Sequence, residues 1–310
     1  MKAARINAYG DAASFEEVPL PTPGPDEVLV RVRAASLNPL DVKLASGAMN
    51  GFFPLSFPYT MGTDLAGTVE RAGPLAARWR PGDRVVSRLD PMRGGGLAEF
   101  VVVPAVGLAS VPAGTSLTDA AGVPTAACTA WQALFEVARL RPGQTVLIHA
   151  GAGGVGSFAI QLARIAGARV VATASGTGIE ISRELGADRV IDYRSEDFAE
   201  GLSDVDVVLD TIAGDTGQRS FGVLRRGGVL VAVPSSPSEA DEALAKAHGV
   251  TTTFVYHQSD ASRLGVVLGL LDVGALRLLT DRVVPLAQLG DAFAHQGSGR
   301  ARGKIILSVE

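Results

Sequence analysis

The stretch "TVLIHAGAGGVGSFAIQLARIAG" (145–167) most constrains what this chain can fold into. A short continuous apolar run leads into a cluster of glycines, and the cluster opens onto a segment of helical period. Gly151, Gly153 and Gly156 satisfy G-x-G-x-x-G, with Gly154 added. Alone the pattern is a weak signal in a chain with 37 glycines, but between a strand and a helix it acquires meaning. The first glycine permits a tight turn, the second lets the backbone approach a pyrophosphate, and the third allows close helix–strand packing. Unpaired N–H groups and the dipole at the helix start then favour an anion. Gly151-Ala152-Gly153-Gly154-Val155-Gly156 is therefore expected to cradle phosphates, and a plain βα turn is the alternative.

The surrounding grammar agrees. From about residue 124, "TAACTAWQALFEVARL" suits a helix, and "TVLIHA", "ARVVATAS", "DRVIDY", "VDVVLDT" and "GVLVAVP" follow as short apolar strands. Helical segments such as "SFAIQLARIAG" and "EISRELGA" lie between most of them, and Gly167-Ala168 and Gly186-Ala187 each close a helix before the next strand. Nearly continuous apolar strands alternating with helices predict a doubly wound parallel sheet covered on both faces. The second strand ends at Ser175-Gly176-Thr177-Gly178, where a NAD site usually carries Asp or Glu for the ribose 2′-hydroxyl. Ser175 and Thr177 can donate to a 2′-phosphate there, and Arg183 or Arg194 can supply charge, so NADP(H) is expected over NAD.

Residues 1 to about 120 read as β-rich. "EVLVRVRAASL", "LAGTVERAG" and "LAEFVVVPA" are strand-like, and turns such as "PTPGPDE" and "RPGDRV" separate them. A barrel-like domain is expected. The tail from about 261 offers a helix, a strand, a second helix and a final strand "KIILSV", which either extends the parallel sheet or returns to the first domain. The expected boundaries are 1–121, 122–260 and a C-terminal segment 261–310, which by the resemblance given below would complete the first domain.

The net charge of −4 argues against a general grip on nucleic acid or an anionic membrane. No run of about 18 uninterrupted apolar residues suggests a spanning helix. "VVLGLLDVGALRLL" comes nearest, and Asp272 interrupts it. "MKAARINAYG" lacks the apolar core of a secretory signal, and Cys128 is the one cysteine, so a cytoplasmic location is expected. One cysteine and four scattered histidines leave no Cys-rich zinc site.

Several motifs occur together in order: "LNPLDVKLASG" (37–47), "MGTDLAGTVERAG" (61–73), "RPGDRV" (80–85), "GGLAEFVVVP" (95–104), "TAWQAL" (129–134), "HAGAGGVGSFAIQLAR" (149–164), "LGADRVIDY" (185–193) and "RGKIIL" (302–307). With them the chain resembles the medium-chain dehydrogenase/reductase superfamily, in its zinc-free quinone oxidoreductase (zeta-crystallin-like) branch, over nearly its whole length. The resemblance implies a GroES-like (chaperonin-like) β-barrel catalytic domain, a Rossmann domain inserted into it, an active site in the cleft between them, and a homodimer. Zinc-dependent relatives hold metal with a Cys and a Gly-His-Glu segment. The matching places here are Asn38 and Met61-Gly62-Thr63-Asp64, so no metal is expected.

By the same resemblance Asn38, Asp41 and Lys43 are the catalytic candidates, and Asn38 and Lys43 lie near the nicotinamide. For Asp41 the alternative is that it only orients its loop. Thr129 matches a threonine near the nicotinamide, against a helix cap. Tyr193 matches a position beside the adenosine ribose, against a core tyrosine. Val233, Pro234 and Ser235 hold the place of a cofactor-contacting loop, and Phe254, Val255 and Tyr256 a place flanking the nicotinamide. Lys304 recurs in relatives, with a surface role as its alternative.

Other residues read plainly: His149 as a satisfied structural histidine, Cys128 as core, and "RWR" (78–80) as a solvated face. His248, His257 and His295 lack partner spacing for a metal or a triad. The expected reaction is NADPH-dependent, zinc-independent hydride transfer to a small-molecule quinone or related conjugated carbonyl. A C=C reductase acting on enones or acryloyl compounds is the rival, and a non-catalytic NADPH-binding structural or regulatory protein is the second rival. The proton donor has no candidate in the sequence.

Overall fold

The structure, a computed structural model, describes residues 1–309. Two units are present: residues 1–125 with the returning segment from Ser259, and residues 126–258.

In the first unit, β1 (Lys2–Ile6), β2 (Ser14–Glu17), β3 (Glu27–Leu37), α1 (Pro39–Ala45), β4 (Tyr59–Thr60), β5 (Asp64–Ala72), β6 (Arg84–Arg88), β7 (Phe100–Pro104), β8 (Ala109–Ser110) and α2 (Leu117–Ala121) follow in order. The long strand β3 organises them. One edge pairs antiparallel with β5, and the other is shared between β7, along residues 27–31, and a late strand, along residues 34–37. Apolar side chains of β3, β5 and β6 meet Trp79 and Leu108 in one core. Trp79 is the correction to the solvated reading of "RWR": it is 5% exposed, and its indole N–H donates to Ala105 O at 3.1 Å. Only the flanking arginines remain outside, with the Arg78 guanidinium lying over the Trp79 ring.

The second unit takes in most of α3 (Pro124–Trp131), followed by β9 (Thr145–Ile148), α4 (Gly154–Ile165), β10 (Arg169–Ala174), α5 (Thr177–Glu184), β11 (Arg189–Asp192), α6 (Phe198–Gly201), β12 (Val205–Asp210), α7 (Asp215–Ser220), β13 (Leu224–Ala232), α8 (Glu239–His248) and β14 (Thr251–Phe254). All six strands are parallel, in the order β11-β10-β9-β12-β13-β14. The order reverses between β9 and β12, and in such sheets the crevice outside the carboxyl ends at that point takes ligands. Helix α3 does not run to residue 140 as its periodicity suggests. It widens into a π-helix over Gln132–Val137, where Ala138 N donates to Ala133 O.

The tail holds α9 (Ala261–Asp272), β15 (Thr280–Pro285), α10 (Leu289–Gly297) and β16 (Lys304–Ser308). It returns to the first unit, β16 pairing antiparallel with β3 and parallel with β15. The unit boundaries fall at Thr125 and Ser259 rather than at 121 and 261. Thr125 stays with the first unit because its N–H and hydroxyl both donate to Asp64.

Gly67 shows how tightly β3 and β5 approach. An added Cβ would lie 2.1 Å from Arg31 O, against backbone that has no rotamer to yield. Gly67→Ala is expected to destabilise the protein by about 1–3 kcal/mol, read as a lower urea midpoint.

Candidate functional site

In the second unit the carboxyl ends of all six strands share one edge, and the expected residues 151–156, 175, 177, 193, 233–235 and 254–256 follow those ends, while Thr129 lies on α3 and Asn38, Lys43 and Lys304 lie in the first unit. After β9 the chain turns through Ala150, a non-glycine residue at φ +51°, so the left-handed position of the turn belongs to alanine. The glycines do other work. A Cβ on Gly151 would meet Ala172, Ile160 and Ser182 side chains at 2.9 Å each, and one on Gly156 would lie 2.2 Å from Ala150 O. These two set the contact of α4 and α5 with the sheet. Gly153, the N-cap of α4, meets only Ala150 O, at 3.1 Å. The N–H groups of the first turn of α4 lie beside it, where the helix start favours an anion. Ala152 is buried, while Gly154 and Val155 are half-buried beside it.

Ser175 follows β10, and its hydroxyl donates to the Tyr193 hydroxyl at 2.9 Å. Tyr193 is 57% exposed, which excludes the core alternative. Thr177 opens α5. Arg183 is engaged with Glu180 at 3.3 Å, and Arg194 is exposed. Val233, Pro234 and Ser235 follow β13. Phe254 ends β14 beside Ala232, with Val255 and Tyr256 after it.

Thr129 lies inside α3, which begins at Pro124, so it is not a helix cap. Its hydroxyl is 2.9 Å from His257 Nδ1. His257 thus has a partner that sequence spacing could not show. His149 is the satisfied histidine expected, with Nδ1 on Thr173 Oγ1 (3.1 Å) and Nε2 on Ser220 Oγ (2.9 Å). Burial lowers its pKa to about 4, opposed by the charge of Asp210, so the ring is neutral at physiological pH. Cys128 is buried, as expected.

The catalytic candidates lie in the first unit, in a buried polar cluster. Asp64, fully buried, accepts from Asn38 Nδ2 (2.9 Å), Thr125 Oγ1 (2.7 Å), Thr125 N (3.1 Å) and Ser36 Oγ (3.3 Å). Asp41 accepts from Asn38 N (2.8 Å) and Thr63 Oγ1 (3.1 Å), so it fastens the start of α1. Lys304 is 3% exposed, which excludes its surface alternative. Its ammonium donates to Leu37 O (2.9 Å) and Asn38 Oδ1, with Asp64 at 3.9 Å. Burial lowers its pKa, and Asp64 and Asp41 oppose that. Asn38 and Lys304 are therefore engaged with each other, while Lys43 is half-buried on α1.

Residues 24–113 match the family described as "Alcohol dehydrogenase GroES-like domain", and residues 185–307 match "Zinc-binding dehydrogenase". A chloroplast envelope quinone oxidoreductase homolog of Arabidopsis thaliana is 33% identical over 325 residues, covering 99% of this chain and 98% of that protein. The chain belongs to the medium-chain dehydrogenase/reductase superfamily. Within it, solved quinone oxidoreductases are among the structures it resembles. The quinone oxidoreductase from Coxiella burnetii superposes with a TM-score of 0.93 at 31% identity, covering 100% of this chain and 99% of that one. The Escherichia coli quinone oxidoreductase complexed with NADPH gives 0.91 at 25%, covering both chains fully. CurK enoyl reductase gives 0.90 at 28%, covering 100% of this chain and 99% of that one.

This member of the superfamily does not offer zinc a fitting donor set. At the matching positions Asn38 and Thr63 are hydrogen-bonded to their neighbours, and a lysine ammonium sits against Asn38. Among the described residues no three His, Cys, Asp or Glu side chains gather as metal ligands.

Burial, and next the charge of Asp64, raise the Asp41 carboxyl to about 6. The fold binds this proton more tightly than the unfolded chain does. Asp41 therefore contributes stability that is complete below its ordinary value of 3.8 and lost as pH rises through about 6. Asp41→Asn should flatten urea-unfolding stability across that window.

Gly153→Val should lower the apo melting temperature only slightly, since its backbone is extended (φ −83°) and the one tight approach to an added Cβ is Ala150 O at 3.1 Å, which must give by a few tenths of an ångström. It should weaken binding of nicotinamide dinucleotides by at least about tenfold, read by fluorescence titration. Parent-like affinity in a folded variant would contradict the cradle.

Proposed function

We propose that this protein is an NADPH-dependent reductase that delivers hydride to quinones or related conjugated carbonyls without a metal. The observation that carries the reading is the 151–156 turn beside a strand that ends in Ser175 instead of a carboxylate. The N–H groups at the start of α4 would hold the pyrophosphate, with Gly153 leaving room for it. A 2′-phosphate would meet the hydroxyls of Ser175 and Tyr193, where Asp or Glu would repel it. When bound, the nicotinamide supplies the hydride.

The chain's own contribution is orientation and a dry surface for the acceptor. A conjugated carbonyl spreads the incoming charge onto its oxygen, which removes the need for a Lewis acid. The donor set around Asn38 and Lys304 is consistent with that. The similarity to quinone oxidoreductases, one of them complexed with NADPH, supports the reading. The likeness to an enoyl reductase supports a second: hydride delivery to the β-carbon of an enone or acryloyl compound, through the same residues.

Steady-state kinetics with NADPH and NADH over quinones, enones and acryloyl esters test the proposal. We expect kcat/KM to favour NADPH by at least about tenfold. EDTA should leave activity unchanged, and Ser175→Asp should abolish the preference. A preference for NADH, or activity lost to EDTA and restored by zinc, would overturn it. NADPH binding without turnover of any acceptor would indicate a non-catalytic role.

A further inference from the structure

Two side chains on one face of α3 and its continuation hold the segment that follows β14. Thr129 Oγ1 lies 2.9 Å from His257 Nδ1. Gln132, three residues further on, donates from Nε2 to Tyr256 O at 2.9 Å and accepts on Oε1 from Gln258 N at 3.2 Å. The backbone on both sides of His257 is thereby fixed, and the imidazole is held on the Thr129 hydroxyl. Thr129 and Gln132 are 5% and 7% exposed. The helix widens into its π-turn at Gln132, a distortion often found at functional sites. The imidazole seated on the Thr129 hydroxyl adds to the two Gln132 bonds a contact between two groups that can each give and take a proton, which asks for a further reason.

Its position supplies one. Ser175 and Tyr193 follow β10 and β11, on one side of the glycine turn after β9. His257 follows β14, on the other side, three strand spacings from β9, or about 14 Å. A dinucleotide with its pyrophosphate at the turn and its adenosine half over Ser175 must extend its other half toward β12, β13 and β14. The pair therefore lies on the side where hydride would leave.

We propose that His257 and Thr129 deliver the proton that completes the reduction, an assignment that rests on the reading above. A quinone or enone that takes a hydride gains one proton and two electrons together, the nicotinamide losing the same and being oxidised by two electrons. The acceptor is left with a negative charge and needs one proton. Thr129 passes its hydroxyl proton to the acceptor and receives the Nδ1 proton of the His257 imidazolium. The imidazole is left neutral, and water protonates it again for the next turnover.

Two measurements test the assignment. In cofactor-free protein labelled with ¹⁵N-histidine, the His257 Nδ1 resonance should show a hydrogen bond that Thr129→Val removes. In turnover with NADPH and an acceptor that the parent reduces, Thr129→Val and His257→Ala should lower kcat by at least about a hundredfold. NADPH affinity should stay within about twofold of the parent's. Thr129→Ser should keep most of the activity, and added imidazole should partly restore His257→Ala. His257→Gln, which keeps a hydrogen bond but carries no transferable proton, should be as slow as His257→Ala. Parent-like kcat in the folded variants, or a His257→Gln protein as fast as the parent, would overturn the pair and leave the proposed reaction standing. So would a loss of activity that imidazole does not restore and that tracks a lower melting temperature, the signature of a purely structural pin. A parent that reduces no quinone or enone would overturn both.

Discussion

A single buried carboxylate holds the first unit in register. Asp64 stands at the start of β5, fully enclosed, and a charge in that position is stable only if hydrogen bonds and an opposite charge surround it. Its donors come from the end of β3, the cap of α1 and the start of α3, with the Lys304 ammonium of β16 beyond them. Directly across the β5–β6 ladder, Arg88 reaches Thr125 Oγ1 (3.3 Å) and Ser259 Oγ (3.2 Å), the residues where the chain leaves and re-enters this unit. The fold thus gathers most of the buried polar side chains of this unit in one place, between apolar layers that hold Trp79 on one side and Tyr59 and Met61 on the other.

The second unit solves a different problem. Parallel strands place every carboxyl end on one edge, so residues distant in sequence gather there without special pleading from any one loop. Two of the three motif glycines are spent on packing, and Gly153 is the least crowded of them, its added Cβ meeting Ala150 O at 3.1 Å. His149 sits directly before this turn, yet it is neutral and bonded through both ring nitrogens, which makes it a rivet between β9, β10 and α7.

Much of this was legible in the sequence because it is local. Apolar runs marked β3, β9, β10, β12 and β13, and glycine pairs marked where α4 and α5 end. The G-x-G-x-x-G turn was identifiable from its flanks, although the positive φ that builds it falls on Ala150. What escaped depends on partners far away in the chain. Lys304 opens a strand and reads as solvent-facing until Asn38, 266 residues earlier, receives its ammonium. His257 reads as isolated because Thr129 is 128 residues away. Trp79 stands between two arginines, which hide its burial, and a helical period of 3.6 cannot announce a switch to π geometry at Gln132. Strand β14 is four residues long, three of them threonine, too brief for its alternation to stand out.

The return of β16 to β3 has a consequence for the order of events on the ribosome. The second unit is one uninterrupted run, 126–258, and all its strand partners have emerged once that run is complete. The first unit is synthesised earlier but must wait, because residues 34–37 of β3 have no neighbour on that edge until residues 305–308 arrive. Domains close as units when their chain is available, and the second unit has its whole chain before the first does. The waiting edge is Ala34-Ala35-Ser36-Leu37, three small residues and one leucine, a poor template for the stray strand pairing that exposed edges invite.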